Sequence, residues 1–258
     1  MSPTLSEQAD ESTAQAAPLS EDTLWLLVTD VDNTLLGDDA GLRQFLSVYR
    51  RSSAFLLALN SSRPCAHVRA TLDELPVLLQ PKALIGAMGT EIEMDGVLLN
   101  QWTQQFERWD RAPIDAVMKA LGFPAHAPEL QTRFKASFAV PQAKQKHAIE
   151  AIQATGVLTR IVRSGESDFD VLPPDAGKGR ATLHLARLLG VPLERMIVAG
   201  DSANDVQMFQ VAQKGIVVGN ARPALRALTD PAKVYFAKGH YANALLEGLD
   251  YWGVPIKQ

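Results

Sequence analysis

Short apolar runs alternate with helical periods along most of the chain, beginning near Thr23. Leu42, Phe45, Leu46 and Tyr49 recur at the spacing of one helix face. Strands that alternate with helices indicate a parallel sheet with helices on both faces, so we expect a Rossmann-like, doubly wound α/β core. The strand-like runs span residues 24–28, 55–59, 83–87, 196–199, 215–218 and 234–237, and helical patterns start at residue 64 and lie near residues 181–188, 203–212, 223–228 and 241–249.

The pattern changes in the middle of the chain. A helical stripe over residues 114–121 is followed by strict alternation over residues 134–140, where Lys135 and Ser137 occupy polar positions. Such alternation is typical of a strand with one apolar face and one face that meets solvent or a site. A further helical period at 143–154 and strand patterns at 157–163 and 168–172 complete the segment. These elements predict a small antiparallel α+β unit.

The two patterns divide the chain into a tail over residues 1–22, a discontinuous core over residues 23–94 and 172–258, and an inserted α+β cap over residues 95–171. The tail contains five acidic residues, no Lys or Arg and few large apolar side chains, so we predict that it is disordered. It lacks the basic start and apolar stretch of a secretory signal and the arginines of a mitochondrial presequence, so we expect a cytoplasmic protein.

Composition excludes several classes of function. The formal net charge is −4, and beyond residue 22 the chain has 25 basic against 24 acidic residues, so charge does not favour a nucleic-acid partner. The apolar runs are far shorter than the ~18 residues that span a bilayer, so no membrane partner is expected. A single cysteine, Cys65, excludes an internal disulfide and a cysteine-based zinc site.

Two acidic motifs directly follow predicted strands. Asp30 and Asp32 follow the first strand, and Asp201, Asn204 and Asp205 follow the strand at residues 196–199. In an open parallel sheet, ligands bind at the carboxyl ends of the strands, and carboxylates are the ligands that Mg²⁺ prefers. Acidic turns and helix caps would use the same residue types, so both interpretations stay open for each motif taken alone.

Two further residues stand where a phosphate could bind. Ser61 follows the strand at residues 55–59, just before a predicted helix, and a hydroxyl beside free amides can hold an anion. A plain serine cap is the alternative. Lys178 opens another predicted helix, where the helix dipole disfavours a cation, so a phosphate would explain it. Chance placement on the surface is the alternative.

The four motifs taken together are specific. Their order is Asp-x-Asp-x-Thr at residues 30–34, Ser61, Lys178, and Gly-Asp-x-x-Asn-Asp at residues 200–205. This set resembles the haloacid-dehalogenase-like phosphohydrolases, and the insert between Ser61 and Lys178 resembles the α+β cap of the type IIB members. The segments at residues 89–92, 164–173, 215–221 and 237–242 look like the sucrose-phosphate phosphatase group. One departure is Ser61-Ser62-Arg63, where the family usually has Thr-Gly-Arg; the hydroxyl is kept.

The resemblance implies a role for each motif residue. Asp30 would be the nucleophile that forms an aspartyl-phosphate, and Asp32 the general acid and base. Mg²⁺ would be held at Asp30, Asp32 (through its backbone carbonyl), Asp201 and Asp205. Ser61, Lys178 and Asn204 would serve phosphate binding, with Asn204 and Asp205 orienting the metal shell and the lysine. The cap would close over the site and read the sugar. Candidates for substrate contacts are Arg63, Lys135, Ser137, Glu166, Asp168, Lys238 and His240.

The implied function is a Mg²⁺-dependent phosphatase for a sugar phosphate, with sucrose 6-phosphate as the leading substrate. Another glycosyl phosphate is an alternative, such as that of mannosylfructose, glucosylglycerol or mannosylglycerate. A phosphomutase also stays open, as does an inactive module that docks on a glycosyltransferase. The expected partners are the small sugar phosphate and a glycosyltransferase resembling sucrose-phosphate synthase, and the expected state is a monomer. Trp102 and Trp109 would either stack on a sugar or pack in the hinge.

Overall fold

The computed structural model describes residues 24–256. The predicted tail at residues 1–22 lies outside this range. Within it the strands are β1 (Trp25–Thr29), β2 (Phe55–Asn60), β3 (Ala83–Gly86), β4 (Glu91–Met94), β5 (Val97–Leu98), β6 (Ala136–Ala139), β7 (Arg160–Ser164), β8 (Asp168–Leu172), β9 (Met196–Gly200), β10 (Lys214–Val217) and β11 (Val234–Phe236). The helices are α1 (Asp39–Arg51), α2 (Cys65–Asp73), α3 (Asn100–Gln104), α4 (Ala112–Ala120), α5 (Gln145–Ala154), α6 (Lys178–Leu188), α7 (Val206–Val211), α8 (Pro223–Leu228) and α9 (Tyr241–Tyr251).

The larger sheet has the strand order β11-β10-β9-β1-β2-β3-β4-β5. From β11 to β3 neighbouring strands are parallel, and β4 and β5 add an antiparallel edge. After β1 the chain first builds the sheet outward on one side, and later returns to place β9 on the other side of β1. Ligands in open α/β sheets bind at such a reversal of strand order, just past the carboxyl ends of the strands. The topology therefore points to the loops after β1 and β9.

Both faces of this sheet are buried, which explains the continuous apolar runs. Leu26 and Val28 of β1 pack on the side of α6 and α7, whereas Leu27 packs on the side of α1 and α9. Side chains alternate between the faces of a strand, so a strand covered on both sides must be apolar throughout. The doubly wound fold class is confirmed.

The smaller sheet, with the order β6-β8-β7, is wholly antiparallel. Helices α4 and α5 cover one of its faces through Ile114, Met118 and Ile152, which pack against Phe138 and Phe169. The other face is turned toward the larger sheet, and β7 lies against the turn at Ala203–Asp205. We call the unit formed by α4, α5 and β6 to β8 the cap. Its presence as an inserted α+β unit is confirmed; the exact limits at residues 95–171 stay a prediction.

The structure differs from the sequence expectations at several elements. The hairpin of β4 and β5 and the short helix α3 were not expected, although the turn between the strands, at Asp95 and Gly96, has the positive φ angles of 49° and 83° that an Asp-Gly pair favours. The helix expected at 203–212 begins as a 3₁₀ turn, and β7 begins at Arg160 rather than 157. No helix within residues 24–256 is long and apolar enough to cross a bilayer.

Candidate active site

Four charged side chains meet where β1, β9 and α6 come together. The ammonium nitrogen of Lys178 lies 2.6 Å from Oδ1 of Asp30 and 2.7 Å from Oδ1 of Asp205. Asp30 follows β1, Asp201 and Asp205 follow β9, and Lys178 is the first residue of α6. All four residues are buried, with exposures of 0–5%. The lysine side chain is thus the cation around which the acidic motifs are arranged.

Both carboxylate oxygens of Asp205 accept hydrogen bonds. Oδ1 accepts the hydrogen bond from Lys178, and Oδ2 accepts from the backbone N–H groups of Asp201 and Ser202 at 3.1 and 3.2 Å. The side chain of Ser202 in turn accepts from the backbone N–H of Asp205 and so caps the turn that begins at Ala203. Asp205 therefore ties the loop after β9 to Lys178, and its geometry is fixed from both ends.

The charges in this cluster do not cancel. Three carboxylates and one ammonium group leave two negative charges when every acid is ionised. Burial, with the nearby charge of Asp205, raises the pKa of Asp30 to about 8, although Lys178 opposes the shift. Burial and Asp205 likewise raise the pKa of Asp201 to about 6. Burial alone would lower the pKa of Lys178, but Asp205 and Asp30 raise it above its usual range. The lysine stays charged, and the carboxyl groups need a further cation or a proton.

The residues present fit a divalent cation. Asp30, Asp201 and Asp205 each offer a carboxylate oxygen within 4.8 Å of the others. Hard cations prefer such oxygen ligands, and two positive charges match the two uncompensated negative ones. Asp205 accepts three hydrogen bonds through its two oxygens, so it keeps fewer lone pairs for a cation than Asp30, which accepts one from Lys178.

The predicted phosphate-binding residues lie beside this cluster. Ser61 is 1% exposed, and its hydroxyl accepts from the N–H of Arg63 at 3.1 Å. The helix that follows begins only at Cys65 with Pro64 as its cap, so the alternative of a serine helix cap is wrong. Asn60, which sequence reasoning missed, donates to the carbonyl of Lys178 at 3.2 Å and thereby joins β2 to the start of α6.

Close backbone packing sets the position of Lys178. Gly177 has a φ of 155°, and a Cβ atom there would lie 2.1 Å from the side-chain oxygen of Gln207. A Cβ atom on Gly89 would lie 2.4 Å from the carbonyl oxygen of Gly177. At Gly89 a side chain would collide with this backbone, and at Gly177 the positive φ favours glycine. These two glycines therefore help to position the backbone of Lys178 at the start of α6.

Asp32 is placed differently from the buried acids. Its side chain is 51% exposed and is held by the guanidinium of Arg63, with Nε 2.9 Å from Oδ2 and Nη2 3.0 Å from Oδ1. Arg63 also donates to Thr71 on α2. Nη2 donates a hydrogen bond and Nε makes a close ion contact, so Arg63 restricts the orientation of the Asp32 carboxylate. Asp32 thus lies at the exposed rim of the cluster, held by Arg63.

The inner face of the cap carries a buried polar group. The hydroxyl of Ser137 donates to Asp170 at 2.5 Å, and the ammonium group of Lys135 lies 3.0 Å from the same carboxylate oxygen. All three residues are buried, with exposures of 3–4%, so simple solvent exposure of Lys135 and Ser137 is excluded. Sequence reasoning did not single out Asp170; its pairing with Ser137 across β6 and β8 became visible only with the strand register.

The remaining predicted residues make contacts with groups outside the cluster or are exposed. Asn204 accepts from the hydroxyl of Ser202 at 3.1 Å. Glu166 and Asp168 are exposed at the end of the cap hairpin, where Asp168 lies 3.4 Å from His126. Lys238 and His240 are exposed beside Gly219, at the carboxyl end of β10. Trp102 is 5% exposed and packs against Phe106 and His184, which confirms the packing interpretation for that residue.

Asn220 is a further residue that the motif analysis did not assign to the site. Its side chain donates to the carbonyl of Asn33 at 2.7 Å and accepts from the N–H of Tyr241 at 2.9 Å. Asn33 has a φ of 62° and directly follows Asp32. Asn220 therefore holds the turn that carries Asp32 against the loop before α9. The signal for it was its place after another strand at the same sheet edge.

The fold, the cap and the acidic cluster define a haloacid-dehalogenase-like phosphohydrolase, a phosphoric monoester hydrolase. A family model described as sucrose-6F-phosphate phosphohydrolase matches residues 23–253. The chain belongs to the sucrose-6F-phosphate phosphohydrolase family.

Individual relatives agree with this family. A mannosylfructose-phosphate phosphatase of Agrobacterium fabrum is 32% identical over 90% of this chain and 98% of its own. A probable sucrose-phosphatase of Arabidopsis thaliana is 27% identical over 88% of this chain, which spans only 59% of the plant protein. The structure of the sucrose-phosphatase from Synechocystis sp. PCC6803, in complex with sucrose and phosphate, superposes with a TM-score of 0.81 at 28% identity, covering 89% of this chain and 98% of that one.

Proposed function

We propose that this protein is a Mg²⁺-dependent phosphatase for a phosphorylated disaccharide, with sucrose 6-phosphate as the leading substrate. One observation carries the proposal: a buried cluster of Asp30, Asp201, Asp205 and Lys178 lies under the polar inner face of a cap. A phosphoryl group carries dispersed negative charge, so a carboxylate approaches it only where positive charge compensates. The cluster has that composition, and the cap supplies polar groups for a sugar.

The proposed chemistry follows from the placement of the side chains. Ionised Asp30 attacks phosphorus in line, the bond from phosphorus to the sugar oxygen breaks, and Asp32 gives its proton to the departing oxygen. Asp32 then takes a proton from water as the water attacks the aspartyl-phosphate, which releases inorganic phosphate and restores Asp30. Lys178 and the hydroxyl of Ser61 hold the phosphoryl oxygens. When bound, Mg²⁺ would neutralise charge between Asp30, Asp201 and the phosphoryl oxygens.

We assign Asp205 and Asn204 to positioning. Asp205 gives one oxygen to Lys178 and the other to two amides, so it orients the lysine and the loop after β9. Asn204 supports that loop through Ser202. The Asp32 carbonyl, which the family pattern makes a metal ligand, completes the proposed set with Asp30 and Asp201.

Substrate choice is proposed to lie in the cap. Lys135 and Ser137 share Asp170 and present donors on the face that meets the larger sheet. Arg63, Glu166, Asp168, Lys238 and His240 stay predictions as substrate contacts, as do a glycosyltransferase partner, a monomeric state and a cytoplasmic location. The cap limits at residues 95–171 are proposed on the same basis.

One observation favours a second substrate. The Agrobacterium relative named for mannosylfructose phosphate is 32% identical across 98% of its length, a higher identity than the 28% of the sucrose-phosphatase structure. Sucrose and mannosylfructose are both disaccharides that contain fructose, so the shared class is a phosphorylated glycosyl-fructose. The two disaccharides differ in the sugar attached to fructose, and the cap would recognise that sugar.

Phosphate release from a substrate panel tests the proposal. The panel contains the phosphates of sucrose, mannosylfructose, glucosylglycerol and mannosylglycerate, with fructose 6-phosphate and glucose 6-phosphate as controls. We expect the highest kcat/KM with one of the two fructose disaccharides. Strong preference for a monosaccharide phosphate contradicts the disaccharide assignment, and isomerised sugar phosphate without free phosphate would identify a mutase. Lack of any thermal shift with Mg²⁺ would favour an inactive docking module.

A further inference from the structure

A large cavity lies between the β4–β5 hairpin, α3 and α6, apart from the acidic cluster. Its volume is about 850 Å³. Small-molecule sites occupy roughly 300–1,000 Å³ and are mostly apolar with a few polar groups. The cavity has this character, since its apolar wall is formed by Met94, Leu98, Leu99, Trp102, Leu183 and Leu188.

One wall of the cavity is cationic. Arg180, His184 and Arg187 follow one another on the face of α6 that lines the cavity, and no Asp or Glu is among its described lining residues. Arg180 pairs with Asp175 at 3.2 Å, while Arg187 has no ion pair within residues 24–256. Burial lowers the pKa of His184, and the charges of Arg187 and Arg180 lower it further. Arg187 is therefore available to pair with an anion.

An aromatic pair forms the floor between the apolar and cationic sides. The rings of Trp102 and His184 lie 4.5 Å apart with an interplanar angle of 33°. The indole N–H of Trp102 donates to the carbonyl of Gly89 at 3.0 Å. Gly89 in turn packs on the backbone of Gly177 and Lys178. An occupant would therefore touch both the segment that leads into the cap and the helix that begins at the site lysine.

We propose that this cavity is a second binding site, separate from the phosphohydrolase site, for an organic anion with an apolar body. The anionic group would lie at Arg187 and Arg180, and the apolar body between Trp102, Leu98 and Leu188. Exposed leucines fit this assignment, since Leu98 is 46% and Leu188 is 50% exposed although both border a concave surface. An apolar cavity with a cationic wall selects ligands that combine both properties.

The whole chain can be tested with two matched fluorescent probes. 1-Anilinonaphthalene-8-sulfonate has a sulfonate on an aromatic body, and N-phenyl-1-naphthylamine is its neutral counterpart. We expect saturable one-site binding of the sulfonate, weakened about five- to tenfold by Arg187→Gln and by Gln101→Glu. Binding of the neutral probe should change less than about twofold. Arg43→Gln, an exposed arginine on α1, is the control and should leave both probes unaffected.

Histidine NMR provides a readout independent of the dye. Saturation with the sulfonate should raise the pKa of His184, because a nearby anion favours the imidazolium form. His147, exposed on α5, should not shift. The proposal is overturned if the variants leave sulfonate binding unchanged or if His184 does not respond. It is also overturned if the sulfonate binds only after residues 1–22 are deleted, since the acidic N-terminal segment would then be the occupant.

Discussion

Two chemically identical substitutions in the acidic cluster should change stability in opposite directions. In Asp205→Asn, the new amide group must face either the ammonium group of Lys178 or the N–H groups of Asp201 and Ser202. Every orientation replaces an accepted hydrogen bond by a contact between donors. Hydrogen bonds to charged groups contribute about 1.5–3 kcal/mol, so we expect a loss of about 3 kcal/mol. For a protein of this size that lowers Tm by about 6–12 °C.

Asp30→Asn should instead stabilise the cation-free protein at neutral pH. The pKa of Asp30 is raised from 3.8 to about 8 in the folded state. A raised folded pKa means that stability is lost as pH rises from about 4 to about 8, because only the unfolded state ionises in that range. Asparagine removes this loss. The gain at pH 7 is roughly 1–4 kcal/mol and should vanish near pH 4.

Urea unfolding followed by tryptophan fluorescence, with EDTA present, measures both effects. Asp95→Asn is the matched control, since Asp95 is an exposed residue paired with Lys82 and should change stability by less than about 0.5 kcal/mol. The reasoning is refuted if Asp205→Asn is as stable as the parent. It is equally refuted if Asp30→Asn destabilises the protein at pH 7, or if its gain does not shrink toward pH 4.

Three other predictions concern function. Asp30→Asn should abolish phosphate release, and near-normal turnover would contradict its role as nucleophile. Mg²⁺ should raise Tm more at pH 8 than at pH 6, because binding requires ionised Asp30 and Asp201. Their pKa values, raised to about 8 and about 6, favour the protonated forms at lower pH. Equal Tm shifts at both pH values would argue against these ligands. Asn220→Asp should lower kcat on the order of tenfold, because the carbonyl of Asn33, in the loop that carries Asp32, loses the hydrogen bond that Asn220 donates. An unchanged kcat with a native Tm would show that the contact does not position Asp32.

A substantial part of the fold was predictable because its signals are local. Buried parallel strands are continuous apolar runs, and the helices between them show a period of 3.6 residues. The parallel arrangement then places the loops after β1, β2 and β9 at one sheet edge, which is why Asp30, Ser61 and Asp201 could be assigned to one site. The hairpin of β4 and β5 escaped because β5 is only two residues long and both are exposed. A strand of two exposed residues shows no alternation of apolar and polar positions.

The sequence by itself determined which chemistry the protein could carry and in which order the motifs occur. The tertiary structure decided what each group does. Asp30 and Lys178 are 148 residues apart in sequence, so their contact depends on the sheet topology. The same long-range packing produces the hydrogen bonds to both Asp205 oxygens, the burial of Lys135 with Asp170, and the cationic wall beside Trp102. Desolvation and charge pairing depend on distance in space, and a pattern along the chain records only neighbours in sequence.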